Sequence, residues 1–293
     1  MNGSDSKQRI LLQLDPDSQV SVFDSVVAVD AGTETLLRHA SVSPDQVQSL
    51  VHGAIFTRGP EDLHNTAIFI GGSDVAQGEA LLQAAVSSFF GPMRVSVMLD
   101  SNGSNTTAAA AVRVAAKECP LDRTNAVVLA GTGPVGRRAA LLLAREGACV
   151  RVGSRTVERA AAVCKQIQQH VPDANLTPHA TSTPTETSAA MEAAEIVIAA
   201  GAAGVQLLSE DLLQASKDLQ VAIDLNAVPP SGIEGIEVID RAVERYGISC
   251  YGAIGVGGIK MKIHKAAIRR LFDNNSLVLD AEEIYNLATE MGL

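Results

Sequence analysis

Short apolar runs alternate with stretches of helical spacing along most of this chain. Residues 9–15 read as a first strand, built on Ile10, Leu11, Leu12 and Leu14, and 21–27 as the helix that follows. Ser43, Pro44 and Gln46 spell a helix start: the serine caps, the proline sits at the first helical position, and the glutamine reaches back to the cap. That helix is expected to run to about His52, with 53–56 as a second strand. Residues 66–70 give a third strand closed by Gly71 and Gly72, 75–89 a helix, 94–99 a fourth strand, and 108–117 an alanine-rich helix. Further strands are expected at 126–130, 148–152, 195–200, 221–226 and 248–252. Helices are expected at 137–144, after the capping residues Thr183, Pro184 and Glu186, at 259–268 and at 280–291. Strands alternating with helices predict an α/β fold with a mostly parallel sheet.

One junction in this pattern carries chemistry. The apolar run 126–130 passes into Gly131-Thr132-Gly133-Pro134-Val135-Gly136 and then directly into a helix-forming run. A strand, a glycine turn and a helix in that order form a dinucleotide-binding fingerprint. Gly131 permits the tight turn, Gly133 leaves no Cβ between backbone and pyrophosphate, and Gly136 lets the helix lie close on the strand. The helix N-terminus offers N–H groups and partial positive charge to phosphates. The next strand leads to Gly153, Ser154, Arg155 and Thr156, with no carboxylate. A carboxylate there would bind the ribose hydroxyl of NAD, whereas Arg155 pairs with a 2′-phosphate, so NADP is expected over NAD, with NAD the weaker alternative. The strand ends at Ala200-Gly201 and at Asn226 complete the expected cofactor contacts, small residues at 200–204 allowing the nicotinamide half close to the backbone.

Length and charge bound the rest. A chain of 293 residues holds one large or two modest domains, and 118–123 reads as a hinge. A formal charge of −10 argues against nucleic acid or an anionic membrane surface as partner. No apolar run is long enough to span a bilayer, and the polar residues 1–7 read as a frayed tail rather than a signal peptide. Four cysteines, Cys119, Cys149, Cys164 and Cys250, show no metal or redox spacing, which fits reduced thiols and a cytoplasmic protein.

Two stretches outside the glycine turn are candidates for substrate contact. Residues 101–107 are all small and polar or glycine, more than one helix cap requires. Ser101, Asn102, Asn105, Thr106 and Thr107 are therefore read as a ligand-contacting loop, the alternative being an over-polar turn. Phe23, close behind the end of the first strand, fits either a ligand crevice or the core. Gly255, Gly257 and Gly258 precede Lys260, Lys262, His264 and Lys265. With the helix taken to open at Ile259, three lysines in its first two turns oppose the helix dipole. Lys260 and His264, four apart, share a face. Both a binding role for an anion or polar ligand and a basic solvated face beside a core histidine fit this pattern.

Taken together, residues 100–107, the turn 130–136 and the run 255–264 resemble the NADP-dependent methylene-tetrahydromethanopterin dehydrogenases of one-carbon metabolism, and 21–24 and 69–72 fit as well. The likeness covers nearly the whole chain. It implies a two-domain α/β protein: an α/β substrate domain, 1–119 joined by the C-terminal helices 265–293, and a Rossmann-like parallel-sheet NADP-binding domain, 120–264, with a cleft between them. It implies that Phe23 packs on the pterin and that Thr107, Lys260 and His264 line the reacting centre. It also implies a homo-oligomer, a trimer, and tetrahydrofolate as an alternative carrier. Bifunctional methylenetetrahydrofolate dehydrogenase/cyclohydrolases are similar in fold but use a tyrosine and a lysine in the first domain. Here no tyrosine precedes Tyr246, and only Lys7 and Lys117 precede Lys165, so a dehydrogenase without that hydration step is expected. The same lysine census disfavours the alternative of a shikimate- or quinate-type dehydrogenase. A second alternative, an NADP-binding redox sensor, would need the glycine turn but not Lys260, His264 or the 101–107 loop.

Overall fold

The computed structural model describes residues 7–293, so the expected N-terminal tail lies, Lys7 apart, outside the described residues. In chain order the elements are β1 (Ile10–Leu14), α1 (Val22–Asp30), β2 (Thr35–His39), α2 (Pro44–Ile55), β3 (Thr66–Ile70), α3 (Val75–Ser87), β4 (Ser96–Leu99) and α4 (Ser104–Glu118). Next come β5 (Asn125–Leu129), α5 (Pro134–Arg145), β6 (Cys149–Ser154), α6 (Val157–His170), β7 (Leu176–Ala180), α7 (Pro184–Met191), β8 (Ile196–Ala199) and α8 (Glu210–Ala215). The chain closes with β9 (Val221–Asp224), β10 (Val243–Arg245), β11 (Ile248–Tyr251), α9 (Ala253–Arg270), β12 (Val278–Leu279) and α10 (Ala281–Glu290). Two compact units result, Met1–Thr106 with Met261–Leu287, and Thr107–Lys260 with Ala288–Leu293.

The first unit is a parallel five-stranded sheet in the order β12-β4-β3-β1-β2. Leu12, Leu14, Ile68, Ile70, Val97 and Leu99 project from one face into a core completed by Val47 and Val51 of α2 and Leu81 and Ala85 of α3. The second unit has seven strands in the order β10-β11-β9-β8-β5-β6-β7, parallel except for the antiparallel edge pair β10–β11. Its strand order reverses between β5 and β8, the switch point at which doubly wound sheets bind nucleotides. The α/β class with parallel sheets is thus the one the alternating pattern predicts.

Three local expectations need correction. Residues 53–55 are not strand but the last turn of α2, with Phe56 as its C-cap. Val47, Val51, Ala54 and Ile55 are all buried at helical spacing, so the apolar residues at 54 and 55 continue the helix stripe. The second strand of the sheet is instead β2, an edge strand of mostly half-buried residues whose Arg38 and His39 mask its periodicity. Residues 104–107 form the first turn of α4 rather than a loop before it. Lastly, α9 starts at Ala253, not Ile259, which places Gly255, Gly257 and Gly258 inside the helix. A methyl on Gly255 would collide with the Asp240 carbonyl, so this glycine serves close packing rather than a turn. Lys260 therefore sits in mid-helix, where its charge does not oppose the dipole of a helix start.

Candidate active site

In the first unit, parallel strands deliver Asp15, Gly71 and Asp100 to one edge of the sheet, each directly after a strand's C-terminal end. Asp100 is fully buried. Its Oδ1 accepts the backbone N–H groups of Asn105 at 2.9 Å and Thr106 at 3.0 Å, and its Oδ2 accepts the Thr106 hydroxyl at 2.6 Å. This carboxylate caps α4, where the helix dipole favours negative charge. The same Oδ2 lies 3.9 Å from Nδ1 of His264, which is itself fully buried. The Phe69 ring stacks on the His264 imidazole at 5.6 Å and 24°, and Phe23 lies 6.4 Å away at 39°. Phe23 is 51% exposed. The arrangement is an accessible aromatic ring, backed by a buried imidazole and a second ring, at the edge where α/β sheets bind ligands.

The polar side chains of 101–107 divide into two groups. Ser101 donates to the Gly71 carbonyl at 2.6 Å, and Ser104 to the Ser101 carbonyl at 2.8 Å. Asn105 donates to the Leu99 carbonyl at 2.6 Å and to Asp280 at 2.8 Å. Ser101, Asn105 and Thr106 are buried, so these bonds brace the start of α4 from within. Asn102 is exposed, has φ 54°, and is tied through its N–H to the Gly72 carbonyl at 2.6 Å. Thr107 follows Thr106 on α4, half-buried, and Lys260 stands one turn before His264 on α9, also half-buried. Asp15 accepts the N–H groups of Asp17 and Ser21, and burial pushes its pKa up against those bonds.

In the second unit the glycine turn sits at the β5–β8 switch point. A Cβ on Gly136 would come within 2.7 Å of the Ala130 carbonyl oxygen and 2.8 Å of the Gly131 α-carbon. One on Gly131 would meet Val152 at 2.8 Å. These two glycines pack the helix and the turn against β5 and β6. Gly133 differs: a Cβ there would find only the carbonyl oxygens of Ala130 at 3.5 Å and Ala200 at 3.7 Å. Gly133 is also the N-cap of α5 and contributes no side-chain cap; Pro134 and Val135 open the helix. The N-terminus of α5 is thereby left to whatever anion approaches it, and the residues fit a dinucleotide pyrophosphate. Thr132 and Ser154 hydroxyls lie 3.3 Å apart and join the turn to the end of β6, where Arg155 is exposed. Ala200 and Gly201, half-buried, follow β8. Asn226 is buried and holds its own turn, donating to the Pro230 carbonyl and accepting from the Val228 N–H. Burial likewise raises the pKa of Asp224, although backbone N–H groups of Asn226 and Ile233 reach it.

The chain is 44% identical to the bifunctional protein MdtA of Methylorubrum extorquens over 97% of its own length and 99% of that protein's. It is 33% identical to the NAD(P)-dependent methylenetetrahydromethanopterin dehydrogenase of the same organism, over 96% of this chain and 98% of the relative. The chain belongs to the methylenetetrahydromethanopterin dehydrogenase family. Residues 22–102 match the model of the methylene-tetrahydromethanopterin dehydrogenase N-terminal domain. Residues 113–242, which include the glycine turn, match the model of shikimate/quinate 5-dehydrogenase. Among solved structures, quinate dehydrogenase from Corynebacterium glutamicum in complex with NAD is similar in fold, with a TM-score of 0.56 at 15% identity, covering 98% of this chain and 99% of that one.

Sequence reasoning left Asp100 and Phe69 without a role. Asp100 directly follows the apolar run 94–99, and that position alone marks it as a sheet-edge residue. Phe69 reads as core because it lies inside an apolar run, and its stacking on His264 depends on a helix far along the chain. Among the described residues no group of three or more His, Cys, Asp or Glu side chains could hold a metal ion, and no helix is long and apolar enough to cross a membrane.

Proposed function

We propose that this chain oxidises methylene-tetrahydromethanopterin to the methenyl form with NADP, and accepts methylene-tetrahydrofolate as an alternative carrier. Whole-chain membership in the family carries this reading. NADP, when bound, supplies the nicotinamide ring that receives the hydride. The glycine turn and α5 N-terminus hold its pyrophosphate, and Ser154 with Arg155 takes the 2′-phosphate; the lack of a carboxylate after β6 supports this choice over NAD. Ala200, Gly201 and Asn226 border the nicotinamide half.

The bridging carbon lies between two nitrogens of the carrier, one in the reduced pterin ring and one on its arylamine side chain, whose lone pairs expel the hydride, and the product cation is delocalised over both. No strong general base is needed, so the protein contributes position and exclusion of water. Phe23 fixes the plane of the pterin by stacking, with His264 and Phe69 as its backing. Asn102 and Thr107 hydrogen-bond the substrate, while Ser101, Asn105 and Thr106 keep the loop in shape. Because positive charge develops on the reacting carbon, Lys260 serves best by meeting a polar or anionic part of the substrate away from that carbon. A homotrimer is the proposed assembly.

The test is reduction of NADP and of NAD, followed by absorbance, with each methylene carrier in turn. The reading expects NADPH formation dependent on a methylene carrier and weaker reduction of NAD. NADP binding without turnover of either carrier would instead favour a redox sensor.

A further inference from the structure

We propose that the first unit carries a second small-molecule site, between α2 and the edge strand β2, which binds a short aliphatic carboxylate through Arg58. The proposal goes beyond the hydride-transfer reading and does not depend on it.

A cavity of about 420 Å³ opens between β1, β2 and α2, all within the first unit. Its walls include Ile10 and Leu12 of β1, Leu37 of β2, and Leu50 and Gly53 of α2, with Arg58 among the polar lining residues. None of the residues gathered at the candidate active site lines it, and no Asp or Glu does. Both the volume and the mixture of apolar walls with a few polar groups are those of small-molecule sites.

Arg58 lies three residues beyond the end of α2. Among the described residues its side chain makes no hydrogen bond or ion pair, so it does not bond the last carbonyls of that helix. Its Nη1 is shut off from solvent, which removes water as a partner for that atom. A half-buried cation without a counter-charge is costly, and it stands out in a chain of formal charge −10. A carboxylate entering the cavity would supply that counter-charge, and guanidinium and carboxylate match in shape as well as sign.

Gly53 points to the same space by a separate route. It lies inside α2, where glycine weakens a helix, and its φ is not positive. A Cβ placed on it would meet nothing within 4 Å, so neither backbone nor packing asks for glycine there. The missing side chain keeps the cavity open. The chemistry of the walls then narrows the occupant. One cation beside the C-terminal end of a helix suits a single negative charge better than a doubly charged phosphate. Ile10 and Leu12, two residues apart on a strand, span about 7 Å, which suits a short alkyl chain such as that of hexanoate.

The test is an NMR titration of the full-length protein with hexanoate. Hexanamide, which keeps the chain without the charge, and acetate, which keeps the charge without the chain, serve as controls. Wild type should bind hexanoate saturably with Kd of about 1 mM or tighter, and each control at least about tenfold more weakly. Arg58→Met should weaken hexanoate at least about tenfold, the loss expected for a charge-assisted bond. Gly53→Leu should fill the cavity and weaken hexanoate to a similar degree. Its thermal midpoint should equal or exceed that of wild type, because the new side chain enters open space and favours the helix. Absence of saturable binding up to about 10 mM overturns the proposal. So does a control that binds as well as hexanoate, wild-type affinity in either variant, or a Gly53→Leu midpoint well below that of wild type.

Discussion

Alanine placed at two glycines of the same turn should separate cofactor binding from folding. At Gly133 the backbone has φ −75° and ψ 170°, open to any residue, and an added methyl would touch only two carbonyl oxygens at 3.5 and 3.7 Å. Gly133→Ala should therefore fold normally and gain about 0.4–1 kcal/mol by restricting the unfolded chain, worth roughly 1–4 °C in a domain of this size. The same methyl stands where α5 presents its N-terminus. If a pyrophosphate must approach there, overpacking by about 1–3 kcal/mol weakens NADP binding by about 5- to 150-fold. At Gly136 the methyl would press on the backbone of Ala130 and Gly131 at 2.7 and 2.8 Å, so α5 has to move off the sheet. Gly136→Ala should lose about 1–3 kcal/mol of stability before any cofactor is added, a fall of several degrees. Thermal unfolding of the ligand-free protein and calorimetric titration with NADP measure the two effects independently. The reasoning fails if Gly133→Ala is destabilised as much as Gly136→Ala, or if it binds NADP like wild type.

Three further outcomes are expected. Arg155→Asp should weaken NADP by about 10- to 100-fold and change NAD by less than about threefold, as read from steady-state KM values; an unchanged preference would mean the 2′-phosphate is read elsewhere. Lys260→Met should lower kcat/KM for the methylene carrier at least about tenfold while NADP affinity holds, and unchanged kinetics would remove Lys260 from the site. His179 on β7 has its pKa lowered, first by burial and then by the Arg151 charge. The folded protein thus resists protonation that the unfolded chain accepts near the ordinary value of 6.5, and stability drains away as pH falls below that point. His179→Gln should flatten the decline of the thermal midpoint between about pH 7 and pH 5, and an equally steep decline would show that other groups drive it.

Local signals proved most legible where a few neighbouring residues settle the geometry among themselves. Gln46 does reach back to the Ser43 N–H, and Glu186 to the N–H of Thr183. The glycine turn likewise declares itself, because strand, turn and helix are adjacent. Legibility failed where distant packing chose between options. Gly53, Ala54 and Ile55 suit a strand by composition, but the burial stripe begun at Val47 holds them in α2. The glycines at 255–258 look like a helix boundary, yet the close approach of Asp240 keeps Gly255 inside α9. In the site, Phe23 and His264 were nameable from pattern and resemblance. That Asp100 caps α4 while facing His264 depends on bringing β4 and α9 together, which no local window contains.

Hydride transfer itself is the point on which everything turns, and isotope transfer reads it directly. With deuterium on both methylene positions of the carrier, the NADPH released should be one mass unit heavier, and turnover should slow if the transfer limits the rate. NADPH formed without the label, or labelled carrier recovered unoxidised in the presence of bound NADP, would contradict the account.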